Sequence, residues 1–227
     1  LAVDPGTQWI YGVSTDVVGY LCEVLSGQRL DHFLQERILG PLDMPDTSFE
    51  VPEPKIDRFC ANYRKGEGGE PPYVLVDSPK TSGYRHRTYL SGAGGLVSTA
   101  HDYMRFCKML ANGGELDGRR IIGPRTLQFM AMNHLPGGQD LAHMAQSGGE
   151  TARAGIGFGL GFAMLLDPTV AQLLGTVGEY YWGGAASTSF FVSPKEDMIM
   201  LFLTQLMNGG GLLRREMRVM SYQAIID

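Results

Sequence analysis

The period of the hydrophobic pattern changes near residue 150, and this change constrains the fold more than any other feature of the chain. In GFGLGFAMLLDP, residues 157–168, the large residues Phe158, Leu160, Phe162, Met164 and Leu166 recur at every second position, as in a strand with one well-filled face. EYYWGGAASTSFFVSPKEDMIMLFLTQL, residues 179–206, predicts a second strand running to Val192, a turn at SPKED and a third strand from Met198 to Leu206. Strands joined by such short connections form an antiparallel meander. Gly209, Gly210 and Gly211 end it, and Leu213, Met217, Met220 and Ala224 place an apolar stripe on a final helix able to cover the sheet.

Before residue 150 the period is helical. Val17, Val18, Leu21, Val24 and Leu25 recur at three- and four-residue spacing, with Ser14 or Thr15 as the expected cap and Gly27 just past the end. A short helix is expected around Leu30 to Leu39, stopped by Gly40 and Pro41. Residues 43–89 are rich in Pro, Gly and charge and read as long irregular connections. Thr99-x-x-Asp102 then opens a helix closing at Asn112 and Gly113, and Pro124 suits the first turn of another, to about Met132. The reading is α+β: residues 1–150 a mostly helical region with long loops, residues 151–227 the strands and closing helix of the sheet.

Charge and composition exclude several partners. With 19 basic against 24 acidic residues the net charge is -5, leaving no basic footprint for nucleic acid. No apolar run is long enough to span a membrane. Three scattered cysteines without a CxxC argue against both a disulfide framework and a structural zinc site. None of the five histidines pairs with another at ligand spacing on one helix, and neither metal nor organic cofactor is implied. The chain begins at Leu1 with no basic n-region or apolar h-region, and so reads as a piece of something longer. Its compartment stays open, with the cytoplasm slightly preferred.

Familiar catalytic patterns are absent. The glycines at 155, 157, 159 and 161 do not make GxGxxG, and there is no GxxxxGK[ST], HExxH or G-x-S-x-G. What remains is Trp182-Gly183-Gly184 in a strand-forming run. Glycines there mark either a bend or a place where a ligand or another backbone comes close.

Three blocks carry a family resemblance: PGTQWIYGVSTDVVGYLCEVLSGQRLDHFLQERILGPLDM (5–44), GAGGLVSTAHDYMRFCKMLANGGELDGRRIIGP (92–124) and YYWGGAASTSFFVSPKEDMIMLFLTQ (180–205). In order and spacing they resemble a serine hydrolase of the β-lactamase and penicillin-binding-protein fold, esterase-like branch related to class C β-lactamases. The resemblance implies a β-lactamase/transpeptidase-like fold, of which this chain is the C-terminal portion. It also implies an acyl-serine mechanism on a small-molecule ester or amide. Tyr11, in WIYGVS, matches the family Tyr, and Trp182-Gly183-Gly184 occupies the place of the family's Lys-Thr-Gly strand. By the same resemblance Tyr11 is catalytic, the Ala185 N–H is an oxyanion donor, and Trp182, Gly183 and Gly184 line the substrate site, the glycines giving clearance. A free phenol, with pKa of about 10, becomes a useful base only beside cations.

The family's SxxK motif is missing: no Ser here is followed by Lys three residues later. The nucleophilic Ser, its Lys partner and the N-terminal strands are therefore expected upstream of Leu1, in a segment that would be this chain's partner. Two departures bear on substrate. Trp182 stands where β-lactamases carry Lys, and Val13 where they carry Asn, so the expected substrates are uncharged short-chain esters, or acyl transfer between such groups. The alternatives are a non-catalytic binding or scaffold protein, or a true β-lactamase or D,D-peptidase. Tyr63, Tyr73, Tyr84 and Arg85 are open candidates for either a cleft wall or exposed loops.

Overall fold

A computed structural model describes residues 2–145, 153–207 and 209–226. In chain order the elements are α1 (Ser14–Ser26), α2 (Leu30–Leu34), β1 (Asn62–Lys65), β2 (Tyr73–Asp77), α3 (Ala100–Ala111), β3 (Glu115–Leu116), β4 (Arg119–Arg120), α4 (Pro124–Met130), α5 (Leu141–Met144), β5 (Ile156–Phe158), β6 (Ala163–Leu165), α6 (Pro168–Ala171), β7 (Tyr180–Gly183), β8 (Ser189–Ser193), β9 (Met198–Phe202), β10 (Leu206–Met207) and α7 (Gly210–Gln223). The main sheet is an antiparallel meander, β5-β6-β7-β8-β9. A second sheet, β10-β1-β2, pairs Tyr63 and Arg64 in parallel with Leu206 and Met207.

Two expected strands prove to be hairpins. Residues 157–168 divide into β5 and β6, because Gly161 has φ +100, a backbone that only glycine adopts freely, and because Leu160 N–H leaves the ladder to donate to Met130 O. The side-chain alternation continues through the turn, which is why the pattern alone looks like one strand. Residues 180–193 likewise fold into β7 and β8 around a turn at 184–188, registering Trp182 with Phe190 and Gly183 with Ser189.

Period two sorts the sheet residues between two faces. Tyr180, Phe190 and Val192 join Cys107, Met109 and Leu110 of α3 in the larger core, while Phe191, between them, stacks on Tyr222 of α7 at 5.8 Å. The covering face of α7 departs from the expected apolar stripe. Leu213 and Met217 are half-buried, Met220 and Ala224 are exposed, and Arg214, Arg218 and Tyr222, four residues apart, point at the sheet instead. Arg218 pairs with the wholly buried Glu179, which also accepts a 2.5 Å bond from Tyr222 Oη. Burial raises the Glu179 carboxyl above the usual range while Arg218 and Tyr222 pull it down. Removing one partner of such a buried pair typically costs about 3–5 kcal/mol, so this triad fastens α7 to the sheet.

The first helix begins and ends close to expectation. Gly27, at φ +69, takes the left-handed C-cap and its N–H returns to Glu23 O, but the N-cap is Val13, with no side-chain cap. Gly19 presses on Gly92, where a Cβ on Gly19 would come within 2.9 Å of the Gly92 Cα. That contact locks α1 onto the 91–95 segment, and Ser91 adds a hydrogen bond to Asp16. The apolar stripe of α1, by contrast, is uncovered: Val17, Val18, Leu21, Val24 and Leu25 are all exposed, Leu25 at 84%.

The loop at 43–58 is fastened to α3. Thr99 caps that helix by accepting from the Asp102 N–H. The buried Asp102 carboxylate turns outward from its own helix and accepts from the Asp46 N–H at 2.7 Å and from Thr47 Oγ1 at 3.0 Å.

Candidate active site

Tyr11 is held at the mouth of a cleft by its neighbours in sequence. Two residues earlier, the Trp9 N–H donates to Met144 O at 2.8 Å, bridging this segment to the end of α5, and α1 starts three residues later. The Trp9 ring then meets Tyr11 at 6.1 Å and Phe158 of β5 at 5.0 Å. Trp182 completes the wall, with its centroid 5.8 Å from Tyr11 and 5.4 Å from Phe158. Four rings from three distant stretches thus brace one another in stacked, tilted and edge-on geometries. Tyr11 is 65% exposed, so its hydroxyl is accessible to a substrate.

Tyr11, Trp182, Gly183, Gly184 and Ala185 all line one cleft of about 870 Å³, between the β7 strand and the start of α7. The residues that sequence reasoning selected therefore come together. Tyr63, Tyr73, Tyr84 and Arg85 do not line it: Tyr63 sits on the β1 hairpin, Arg87 stacks on Tyr84, and Arg85 pairs with Glu53. Trp9, Phe158 and Arg214 were not picked out by sequence. Of these only Arg214 left a trace, as one of a polar series at four-residue spacing on the last helix.

Past β7 the chain turns tightly. Ser187 N–H donates to Gly184 O at 3.0 Å, and Ser187, at φ +66 and fully buried, is held there by its hydroxyl, which donates to Leu206 O at 2.6 Å. Leu206 N–H in turn donates to Ala186 O at 3.2 Å. Arg214 reaches from α7 and donates to Gly184 O as well. Ala185, at the tip, is exposed, and no hydrogen bond among the described residues uses its N–H.

The space left by the two glycines is filled by side chains of the protein itself. A Cβ on Gly183 would come within 2.8 Å of the Arg214 Cζ, and one on Gly184 within 2.5 Å of Thr188 Oγ1. Among the described residues no helix is long and apolar enough to cross a membrane, and no cluster of three His, Cys, Asp or Glu is placed to hold a metal ion.

The chain is 31% identical over 219 residues to Esterase EstB of Burkholderia gladioli, covering 90% of this chain and 51% of the esterase. It is 25% identical over 213 residues to the monacolin J acid methylbutanoyltransferase of Aspergillus terreus, covering 89% of this chain and 50% of the transferase. The solved structure of simvastatin synthase (LovD) from Aspergillus terreus superposes with a TM-score of 0.80 at 22% identity, over 96% of this chain and 55% of that one, and shares its β-lactamase/transpeptidase-like fold. The chain spans about half the length of the curated relatives it matches. The Beta-lactamase family model matches residues 1–223, and the chain belongs to that family.

Proposed function

We propose that this chain forms the Tyr- and oxyanion-bearing portion of a serine hydrolase or acyltransferase. It would act on uncharged short-chain carboxylic esters through an acyl-serine intermediate, with the nucleophilic Ser and its Lys partner in a segment N-terminal to Leu1. The observation that carries the reading is the convergence of Tyr11 and Ala185, 174 positions apart by subtraction, on one cleft. Esterase and acyltransferase relatives support the reaction class.

In this reading the Ser Oγ attacks the ester carbonyl as its proton passes to the Tyr11 oxygen, while the Tyr11 proton passes on to the amine of the upstream Lys. The carbonyl oxygen, now carrying the negative charge, is bonded by the Ala185 N–H and by the N–H of the Ser itself. Collapse expels the alcohol, which takes the proton back from Tyr11. Water or a second alcohol then releases the acyl group by the reverse steps. Trp182 gives the alcohol or acyl group an apolar wall and offers no cation to an anionic lactam.

The uncovered stripe of α1 supports an upstream segment as partner, since an apolar helix face of this width is ordinarily packed against another element. The test uses the longer protein containing that segment. A fluorophosphonate probe should add one adduct by intact mass, and p-nitrophenyl butyrate should turn over faster than nitrocefin. A well-folded sample with no adduct would refute the hydrolase; faster nitrocefin turnover would refute the substrate preference alone.

A further inference from the structure

Arg214 lines the cleft and bonds the other end of the amide whose N–H is read as an oxyanion donor. The peptide between Gly184 and Ala185 is planar, so its C=O and N–H point in opposite directions. Fixing the oxygen fixes the direction of the hydrogen. Two donors hold that oxygen, the Arg214 guanidinium from α7 and the Ser187 N–H of the turn.

From this geometry we infer that Arg214 is a positioning residue for acyl transfer. By gripping the Gly184 carbonyl, it holds the Gly184–Ala185 peptide plane with the Ala185 N–H presented to the cleft. The inference rests on the reading of Ala185 as a donor and deepens it. Its independent support is the glycine at 183, since the guanidinium carbon lies only 2.8 Å from where a Cβ would stand. A preorganised donor needs no reorganisation when charge develops on the substrate oxygen, and this is where most of its catalytic value lies. A charged donor on the carbonyl also polarises the amide, strengthening the bond its N–H makes on the far side. The guanidinium suits the task because its fork is rigid and always charged. The same helix carries Arg218 and Tyr222 onto Glu179, which fixes the register of α7 and with it the reach of Arg214.

The test compares Arg214→Met, Arg214→Gln and Arg214→Lys in the longer protein that contains the nucleophile, with p-nitrophenyl butyrate as substrate. Replacing the Ala185 amide by an ester, with lactic acid in place of Ala185, removes the N–H and also makes Gly184 O a weaker acceptor, so it deletes the donor and loosens the clamp together. Expected are a kcat about tenfold lower for Met and Gln with KM within twofold, partial recovery with Lys, and little further loss when Arg214→Met is combined with the ester. If the ester lowers kcat and a folded Met or Gln variant does not, the clamp is wrong and the donor stands. If the ester leaves kcat unchanged, the donor reading itself falls. Should Arg214→Met fail to fold, Arg214→Gln, polar and too short to reach the carbonyl, decides on the same criteria.

Discussion

The rings of Tyr11 and Trp182 lie 5.8 Å apart and tilted by 37°, an aromatic contact between the segment leading into α1 and the strand that ends at the turn carrying Ala185. Through it the phenol and the strand share one wall, and Trp9 and Phe158 brace that wall from behind. The position of the Tyr11 hydroxyl is therefore set by ring packing, while the proton transfer proposed for it needs only the hydroxyl. The two can be separated by substitution.

Tyr11→Phe keeps the ring and deletes only the hydroxyl. Because Tyr11 is 65% exposed and its ring contacts survive, the melting temperature should stay within about a degree. The kcat for p-nitrophenyl butyrate should drop by about 10²- to 10⁴-fold, the range for loss of a general acid–base group. Steady-state kinetics beside a thermal melt checks both halves. Activity retained in a folded Phe variant would remove Tyr11 from the chemistry.

Trp182→Ala makes the opposite change, sparing the hydroxyl and removing its support. Trp182 contacts both Tyr11 and Phe158, each aromatic pair contributing about 0.5–1.5 kcal/mol beyond area burial. The melting temperature should fall by several degrees and kcat should fall with it. Trp182→Phe should recover most of the stability. Differential scanning calorimetry on the three proteins checks the order wild type, Phe, Ala.

The helix ends show what a sequence discloses well. Gly27 and Thr99 were readable because a cap is decided within one turn of the chain by residues that bond their own neighbours. The hairpins at 159–162 and 184–188 were not, since side-chain alternation runs on through both turns and only backbone angles mark the reversal. Tyr11 and Ala185 were selected by family resemblance, not by spacing. Arg214 escaped because its partner lies 30 residues away and is a backbone carbonyl, a group with no letter in a sequence. The stripe on α1 was read correctly as helical, but periodicity says which face is apolar and not what covers it.

Leu21→Asp tests that face. On a helix facing only water, replacing a half-exposed Leu changes stability by less than about 0.5 kcal/mol. If the upstream segment packs on α1, the longer protein carrying Leu21→Asp should lose about 1–3 kcal/mol by urea unfolding, because a carboxylate would be buried without a partner. A change below 0.5 kcal/mol would mean that the segment lies elsewhere.

Acid should loosen the 43–58 loop first. Arg58 and Lys55 hold the Asp46 carboxyl well below the usual carboxylate range, bonding it at 2.7–2.9 Å and 2.6 Å. A carboxyl depressed on folding contributes stability that is fully present above its unfolded value, about 3.9, and is lost as pH falls through that value toward the folded one. Urea midpoints of the wild type should therefore decline below pH 4 more steeply than those of Asp46→Asn, which has no proton to gain. Parallel slopes between pH 5 and 2.5 would show that Asp46 carries none of the acid sensitivity.

Gly183→Ala probes the clamp from the strand side. Gly183 has ordinary strand geometry, since its φ is not among the positive ones, so alanine fits the backbone and the only obstacle is steric. The new methyl would sit 2.8 Å from the Arg214 Cζ and 3.0 Å from Thr188 O. The backbone oxygen accepts from the Gly184 N–H across the hairpin turn at 3.0 Å and yields little, so the guanidinium must move and its bond to Gly184 O must lengthen. Gly183→Ala should thus reproduce the kcat loss of Arg214→Gln, about tenfold, with KM nearly unchanged. The double variant should be no slower than either single one, because residues acting through one bond do not add. Additive losses in kcat would instead mean that the glycine leaves room for the substrate, and that the arginine acts by some other route.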